Sequence, residues 1–175
     1  KGSSKKIGGR VRQIPSERNK KIMEKSMKRY MKVGTILHVS YKEVGFGEGP
    51  ILECLKKIVT DPYFEAVEVA HMKDPVVRKR AAEMIVAAHM TTAYGGQGLM
   101  LGAGLNINDL NEEGRQEALA SLKMGIDEAY EMGGQDFSFL AGRYEAETME
   151  ESFQALLAST RELCEYAKAK GNMPV

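Results

Sequence analysis

Glu68 interrupts an otherwise apolar run, Ala66-Val67-Glu68-Val69-Ala70, and His71 follows that run directly. A carboxylate buried in such a run must be paired or hydrogen-bonded. It can orient a substrate hydroxyl, or it can be structural, held by backbone or a neighbouring cation. Histidine binds a hydroxyl, a phosphate or a metal near neutral pH. His71 is therefore a candidate contact, with a plain loop histidine as the alternative. His38 stands near the end of an earlier apolar run, residues 33–40, as a second contact or as a satisfied core histidine. Arg143, directly after Ala141-Gly142, could meet an anionic group such as phosphate, or it could close a surface salt bridge. The stretch Gly95-Gly96-Gln97-Gly98 lacks the Lys-Ser/Thr ending of a phosphate loop and the spacing of a dinucleotide turn. It reads as a loop over substrate or as a connector.

These residues matter because of the rhythm that carries them. From about residue 32, strand-like and helix-like segments alternate four times, and a fifth strand is expected to start at Asn172-Met173-Pro174-Val175. Repeated strand-then-helix units imply a parallel sheet with helical crossovers. In such folds the chemistry gathers at the C-terminal ends of the strands. Residues 33–40, 66–70, about 90–94 and 136–142 read as the strands. Pro50 suits the first turn of a helix with the stripe Ile51, Leu52, Leu55, Ile58 and Val59, which Asp61-Pro62 ends. Asp74 and Pro75 open a second helix through Ala81, Ala82, Ile85 and Val86. Leu119, Leu122, Ile126 and Ala129 mark a third, stopped by Gly133-Gly134. Thr148 and Glu151 form a capping-box pattern for a fourth, which buries Phe153, Leu156, Leu157, Thr160, Leu163, Cys164 and Ala167. His89 precedes its strand and so belongs to the opposite, stabilising end. Units of about 35 residues fit a βα repeat, and eight would close a barrel of about 250 residues or more. A doubly wound sheet usually shows a glycine turn after its first strand, and none is present.

The bulk numbers are those of an ordinary globular chain: 175 residues, 43% hydrophobic and 28% charged. No apolar run approaches the roughly 20 residues of a membrane span, and no secretory h-region is visible. Two cysteines, Cys54 and Cys164, lie on apolar stripes of different helices and read as reduced packing residues. The cytoplasm is the expected setting. The net charge of +1 conceals an asymmetry, because residues 1–32 hold twelve Lys and Arg against two Glu. Residues 1–15 read as an extended arm, followed by a short helix capped by Ser16 with Ile22, Met23, Met27 and Tyr30 along one side. A basic arm invites phosphate contacts, but it carries one aromatic residue and no reading motif, so a solvated extension is preferred over a nucleic-acid partner.

Three stretches resemble the xylose isomerase-like barrels that include sugar-phosphate isomerases and epimerases. They are Val67-Glu68-Val69; Leu105-Asn106 through Arg115 to Ile126-Asp127-Glu128-Ala129 and Gly133-Gly134; and Phe139-Leu140-Ala141-Gly142 through Glu162-Leu163-Cys164-Glu165-Tyr166-Ala167 to Gly171. The resemblance implies an α/β fold: the first four βα units of a (β/α)8 TIM barrel over residues 32–175, with a basic extension over 1–31. It implies a sugar or sugar-phosphate substrate, the remainder of the barrel as partner, and a homo-oligomer. It further implies proton transfer next to a carbonyl, assisted by a divalent metal ion (Mn, Mg, Co or Zn). The first metal ligand, a Glu at the end of the fifth strand, falls beyond Val175, so no catalytic residue or metal ligand is assignable in this segment. What remains is a set of substrate contacts: Glu68, His71, His38, Arg143, and Tyr94 as a surface on which a sugar ring could stack. By itself the segment is expected to be inactive. Two other readings stay open. An abasic-site endonuclease-like barrel would suit the basic arm, although the third strand offers no histidine at its C-terminal end. A non-catalytic half-barrel would leave its first and fourth strands as open edges.

Overall fold

The computed structural model describes residues 27–175. Residues 1–32 form one unit and residues 33–175 another. Of the first unit the described part is a 3-10 turn at Met27–Arg29 and the residues after it. The expected arm and the Ser16 cap lie outside the described residues.

In the second unit, strand β1 (Gly34–Ile36) leads into a single helical turn, α1 (Leu37–Ser40). Helix α2 (Ile51–Val59) follows, then β2 (Ala66–Val69) and α3 (Pro75–Ala87). Next come β3 (Thr91–Gly95), the short helix α4 (Gln97–Leu101) and the long helix α5 (Glu112–Glu131). The chain ends with β4 (Phe137–Ser138) and α6 (Met149–Lys170). The four strands form one sheet in the order β1-β2-β3-β4, every pair parallel. This is the strand–helix alternation expected from the sequence. Asp74 caps α3 as anticipated, accepting from the Val76 amide at 2.8 Å with Pro75 in the first turn.

Register separates two faces. Val69, Tyr94 and Phe137 are aligned across β2, β3 and β4 and are buried, as is Val67. They meet the apolar stripes of the helices, among them Leu55, Ile85, Leu119, Leu122, Ile126 and Leu163. Ile36, Glu68 and Ala93 form the alternate row on the other face and are only partly buried. That strand parity decides which side chains can meet a ligand inside the sheet.

Several expectations are corrected. The apolar run 33–40 is not one strand: among the described residues β1 pairs on one edge only, and its pairing stops at Ile36↔Glu68. Beyond it the Tyr41 amide donates to Leu37 O at 2.9 Å, and Thr35 and Ser40 hydroxyls meet at 2.7 Å, closing a turn. The stretch 136–142 keeps only two ladder residues. The capping box does not form, because Thr148 makes no side-chain cap bond and its hydroxyl turns back to Glu145 O across a 3-10 turn. Helix α6 is also rotated from the expected phase. Its fully buried seam is Ser152, Ser159, Leu163 and Ala167, whereas Phe153 is 50% exposed and Cys164 is exposed. The cause is local: Ser159 Oγ donates to Ile107 O at 2.9 Å and accepts from Arg115 Nη1 at 3.1 Å. The small Ser159, hydrogen-bonded on both sides, lets α6 approach the loop after α4 more closely than a large apolar side chain would.

The tail 172–175 is not assigned as a strand. It does run beside β4, where the Phe137 amide donates to Pro174 O at 3.0 Å. Among the described residues no helix is long and apolar enough to cross a membrane. The cysteine contrast is testable. Burial, first, and the nearby Glu43 carboxylate push the Cys54 thiol above its usual range. A thiol reagent should modify Cys164 at once and Cys54 only on unfolding; equal rates in the native protein would contradict this packing.

Candidate functional site

At the C-terminal side of the sheet, the inner row ends in a small polar group. Glu68 projects there from β2, and among the described residues no donor bonds its carboxylate. Burial raises its pKa above the usual carboxylate range; the charge of His38 opposes this and that of Asp136 adds to it. His38, on the turn α1, keeps its Nδ1 buried without a hydrogen-bond partner. Gly95 closes β3 with a bare Cα. A Cβ there would lie 2.6 Å from Glu68 Oε1 and 2.5 Å from Gln97 Oε1, so these two side-chain ends pack against the bare Cα and a larger residue would displace them. Gln97 is oriented by its Nε2, which donates to Ser138 Oγ at 3.1 Å. Glu68, Gln97 and Ser138 thus come together around Gly95, with His38 close enough to act on the Glu68 charge.

His71 and Tyr94 go elsewhere. Tyr94 is fully buried on the helix face, stacked on Phe137 with ring centroids 5.6 Å apart. Its hydroxyl donates to Glu128 Oε2 at 2.7 Å, so it offers no surface to a sugar ring. Burial, and then the Glu128 charge, push that phenol far up and keep it a donor. His71 Nδ1 lies 2.9 Å from Glu128 Oε1, and Arg78 Nη1 donates to the same oxygen at 3.0 Å. Arg78 also reaches Met72 O and Glu131. The cluster sits behind the sheet, where α3 and α5 meet the end of β2. His71 follows its strand as expected, but its imidazole is engaged with a helix carboxylate.

Arg143 stands apart on the loop after β4. Asn106 holds its backbone at both ends, Oδ1 accepting from the amide at 3.0 Å and Nδ2 donating to the carbonyl at 3.0 Å. Asn108 Nδ2 donates to the same carbonyl at 2.8 Å. The guanidinium reaches only Gly104 O, at 3.4 Å, and no ion pair involves it among the described residues. The expected alternative of a surface salt bridge is therefore not what positions it. It borders a cavity of about 420 Å³ lined also by Met100, Leu101, Leu105 and Leu140. His89 sits beyond α3 with φ 55°, before β3 and away from this end.

Sequence reading missed Gln97, Ser138 and Glu128. Strand parity carries a signal for Ser138, which is in register with Gly95. Nothing comparable marks Glu128, one acid among many on a helix. Among the described residues no three His, Cys, Asp or Glu side chains converge as a metal site requires. The described residues therefore do not make a metal centre.

The raised pKa of Glu68 has a definite consequence. The folded state holds this proton more tightly than the unfolded chain does, so its contribution favours folding at low pH. It is lost as pH rises from the ordinary value of 4.5 through the folded pKa. Glu68→Gln should flatten that part of the stability–pH curve, measured by urea unfolding at several pH values. A curve unchanged by the substitution would contradict the assigned environment.

A family description, xylose isomerase-like TIM barrel, matches residues 57–173. No curated protein gives a significant match. Among solved structures, a D-tagatose 3-epimerase-like protein is similar at 18% identity and TM-score 0.64, covering 82% of this chain and 51% of its own. An L-ribulose 3-epimerase is similar at 19% and 0.64, covering 82% and 48%. D-psicose 3-epimerase from Clostridium cellulolyticum H10, solved with D-tagatose, is similar at 15% and 0.63, covering 82% and 51%. At these identities the likeness is one of fold. The chain spans about half the length of these structures.

Proposed function

Because the chain belongs to the xylose isomerase-like TIM barrel family, we propose that it is part of a sugar isomerase or epimerase that moves a proton next to a carbonyl. In this reading residues 32–175 are the N-terminal half of the barrel and residues 1–31 a basic extension. A sugar or sugar phosphate is the substrate. A divalent cation would take its ligands from outside the described residues. The cytoplasm and a homo-oligomeric assembly belong to the same reading.

One observation carries it: a half-buried carboxylate, Glu68, without a donor among the described residues, on the inner face at the C-terminal ends of parallel strands. A carboxylate so placed can accept from the hydroxyl groups of a ligand. Glu68 would accept from a substrate hydroxyl and fix the carbon chain for proton transfer. His38, with its unpartnered Nδ1, would contact the same ligand. Arg143, free of ion pairing among the described residues and at the cavity rim, would meet a phosphate where the substrate has one. His71 supports the end of β2 from behind through Glu128.

The test is to incubate the full-length protein with D-tagatose, D-fructose and D-psicose and with their phosphates, with and without added Mn, Mg, Co or Zn. Interconversion followed by carbon NMR is expected, with Glu68→Gln lowering kcat/KM by about 100-fold through loss of substrate alignment. No turnover of any sugar or sugar phosphate would contradict the proposal.

A further inference from the structure

We infer that the cleft beside Arg143, between the end of α4 and the loop after β4, is a subsite for an anionic group carried on an apolar stem. Arg143 takes the anion, and Met100, Leu105 and Leu140 take carbons that bear no hydroxyl groups. The inference deepens the functional reading above. It rests on that reading only in taking the ligand of this cleft to be one end of the substrate.

The walls decide the stem. The cleft has a volume of about 420 Å³, and among the described residues Arg143 is the one charged group that lines it. The other side chains come from Met100, Leu101, Leu105, Leu140 and Ala141, none of which carries a hydrogen-bond donor. A hydroxylated stem would give up water there with little in return. Methylene groups gain by leaving water, about fourfold in affinity for each one buried. The cation decides the head group. Arg143 also borders a polar cavity that holds Asp109 and Glu145, yet among the described residues it pairs with neither. Its Nη2 donates instead to Gly104 O at 3.4 Å, and Gly104 lines the apolar cleft. Asn106 and Asn108 fix the Arg143 backbone, so the guanidinium is presented from a held point. An unpaired guanidinium over apolar walls takes a carboxylate or a phosphate monoester through paired N–H donors.

The experiment titrates the isotope-labelled full-length protein with ethyl, propyl and butyl phosphate and with propanoate, butanoate and pentanoate. Inorganic phosphate, 1-butanol and ribose 5-phosphate are the comparisons. Saturable shifts of the Leu105, Leu140 and Arg143 signals are expected with butyl phosphate, pentanoate or both, and the tighter binder identifies the anion. Along its series affinity should rise about fourfold per methylene. Arg143→Gln should weaken binding at least about tenfold, the scale of a lost hydrogen bond to a charged group. Arg143→Lys should restore part of it, keeping the charge without the fork. Leu140→Ser, at a partly exposed position, should flatten the chain-length series. The subsite is overturned if 1-butanol, inorganic phosphate or ribose 5-phosphate binds as tightly as the alkyl anions. An Arg143→Gln variant that binds like wild type, or the absence of any shift, would also overturn it. If the alkyl anions bind as expected and no sugar or sugar phosphate is turned over, the subsite stands and the sugar reading fails. If sugars are turned over while no alkyl anion shifts these signals, the subsite fails and the sugar reading survives.

Discussion

Replacing Glu128 with alanine is expected to lower the stability of the protein by about 3–5 kcal/mol, the cost of orphaning a buried ion pair. Its carboxylate, with a side chain only 6% exposed, takes hydrogen bonds from Arg78, His71 and Tyr94. Removing it strands the Arg78 guanidinium, itself 13% exposed, and the fully buried Tyr94 hydroxyl. Arg78 would retain Glu131 and Met72 O, which limits the loss but leaves the inward nitrogen less satisfied. Tyr94→Phe should cost less, about 1.5–3 kcal/mol for one bond to a charged acceptor. Combining Glu128→Leu with Arg78→Leu should cost less than the two singly, because an apolar pair leaves no buried charge behind. Urea unfolding measures all of these. A loss below about 1 kcal/mol for Glu128→Ala, the range of a solvent-exposed pair, would show that the cluster is not the buried network described.

Gly142→Ala should cost about 3 kcal/mol, on a value near 1 kcal/mol for each of three hydrogen bonds. A Cβ on residue 142 would lie 1.7 Å from Asn106 Oδ1 and 1.9 Å from Asn108 Oδ1. Asparagine amides could swing aside at small cost if they were free. These two are tied to the backbone of Arg143 by three bonds, so clearing the methyl group breaks the clamp. Arg143 would then be the first residue to move, and its amide signal should broaden or shift while the α2 and α3 signals stay in place. An unperturbed Arg143 amide with wild-type stability would contradict the clamp.

The parts of the fold that were legible in the sequence are those where one physical signal acts alone. Asp74-Pro75 marks a helix start by cap chemistry, and Gly133-Gly134 marks a stop. Val67 and Val69 mark a strand covered by helices. Legibility fails where tertiary contacts choose between near-equal local options. The run 33–40 is β-branched and apolar, yet among the described residues it has no second neighbour to hold it extended past Ile36. Helix α6 offers two adjacent stripes, and the serines win because Ile107 O and Arg115 reward Ser159. The apolar stripe with Phe153 and Cys164 looked the stronger from composition.

The site divides in the same way. Glu68 was visible because a carboxylate in an apolar strand needs an explanation. Tyr94 and His71 were placed beside the right strands, but their direction depends on register. Val69 and Tyr94 share the helix face, and Glu128 waits there to bind both Tyr94 and His71. A polar residue on a helix such as α5 is ordinarily solvated, so only the packed structure distinguishes Glu128 from its neighbours. Gln97 and Ser138 are likewise unremarkable singly, and acquire meaning from the bare Cα of Gly95 between them and Glu68.

Solvent hydrogen exchange tests the central claim most directly. The full-length protein, incubated in heavy water with D-tagatose, D-fructose or D-psicose or their phosphates, should place deuterium on a carbon next to the carbonyl. Proton NMR would show that one carbon-bound hydrogen disappear at a rate matching sugar interconversion, and Glu68→Gln should slow both together. Retention of every carbon-bound hydrogen in all of these sugars, with the protein folded and metal supplied, would contradict the account.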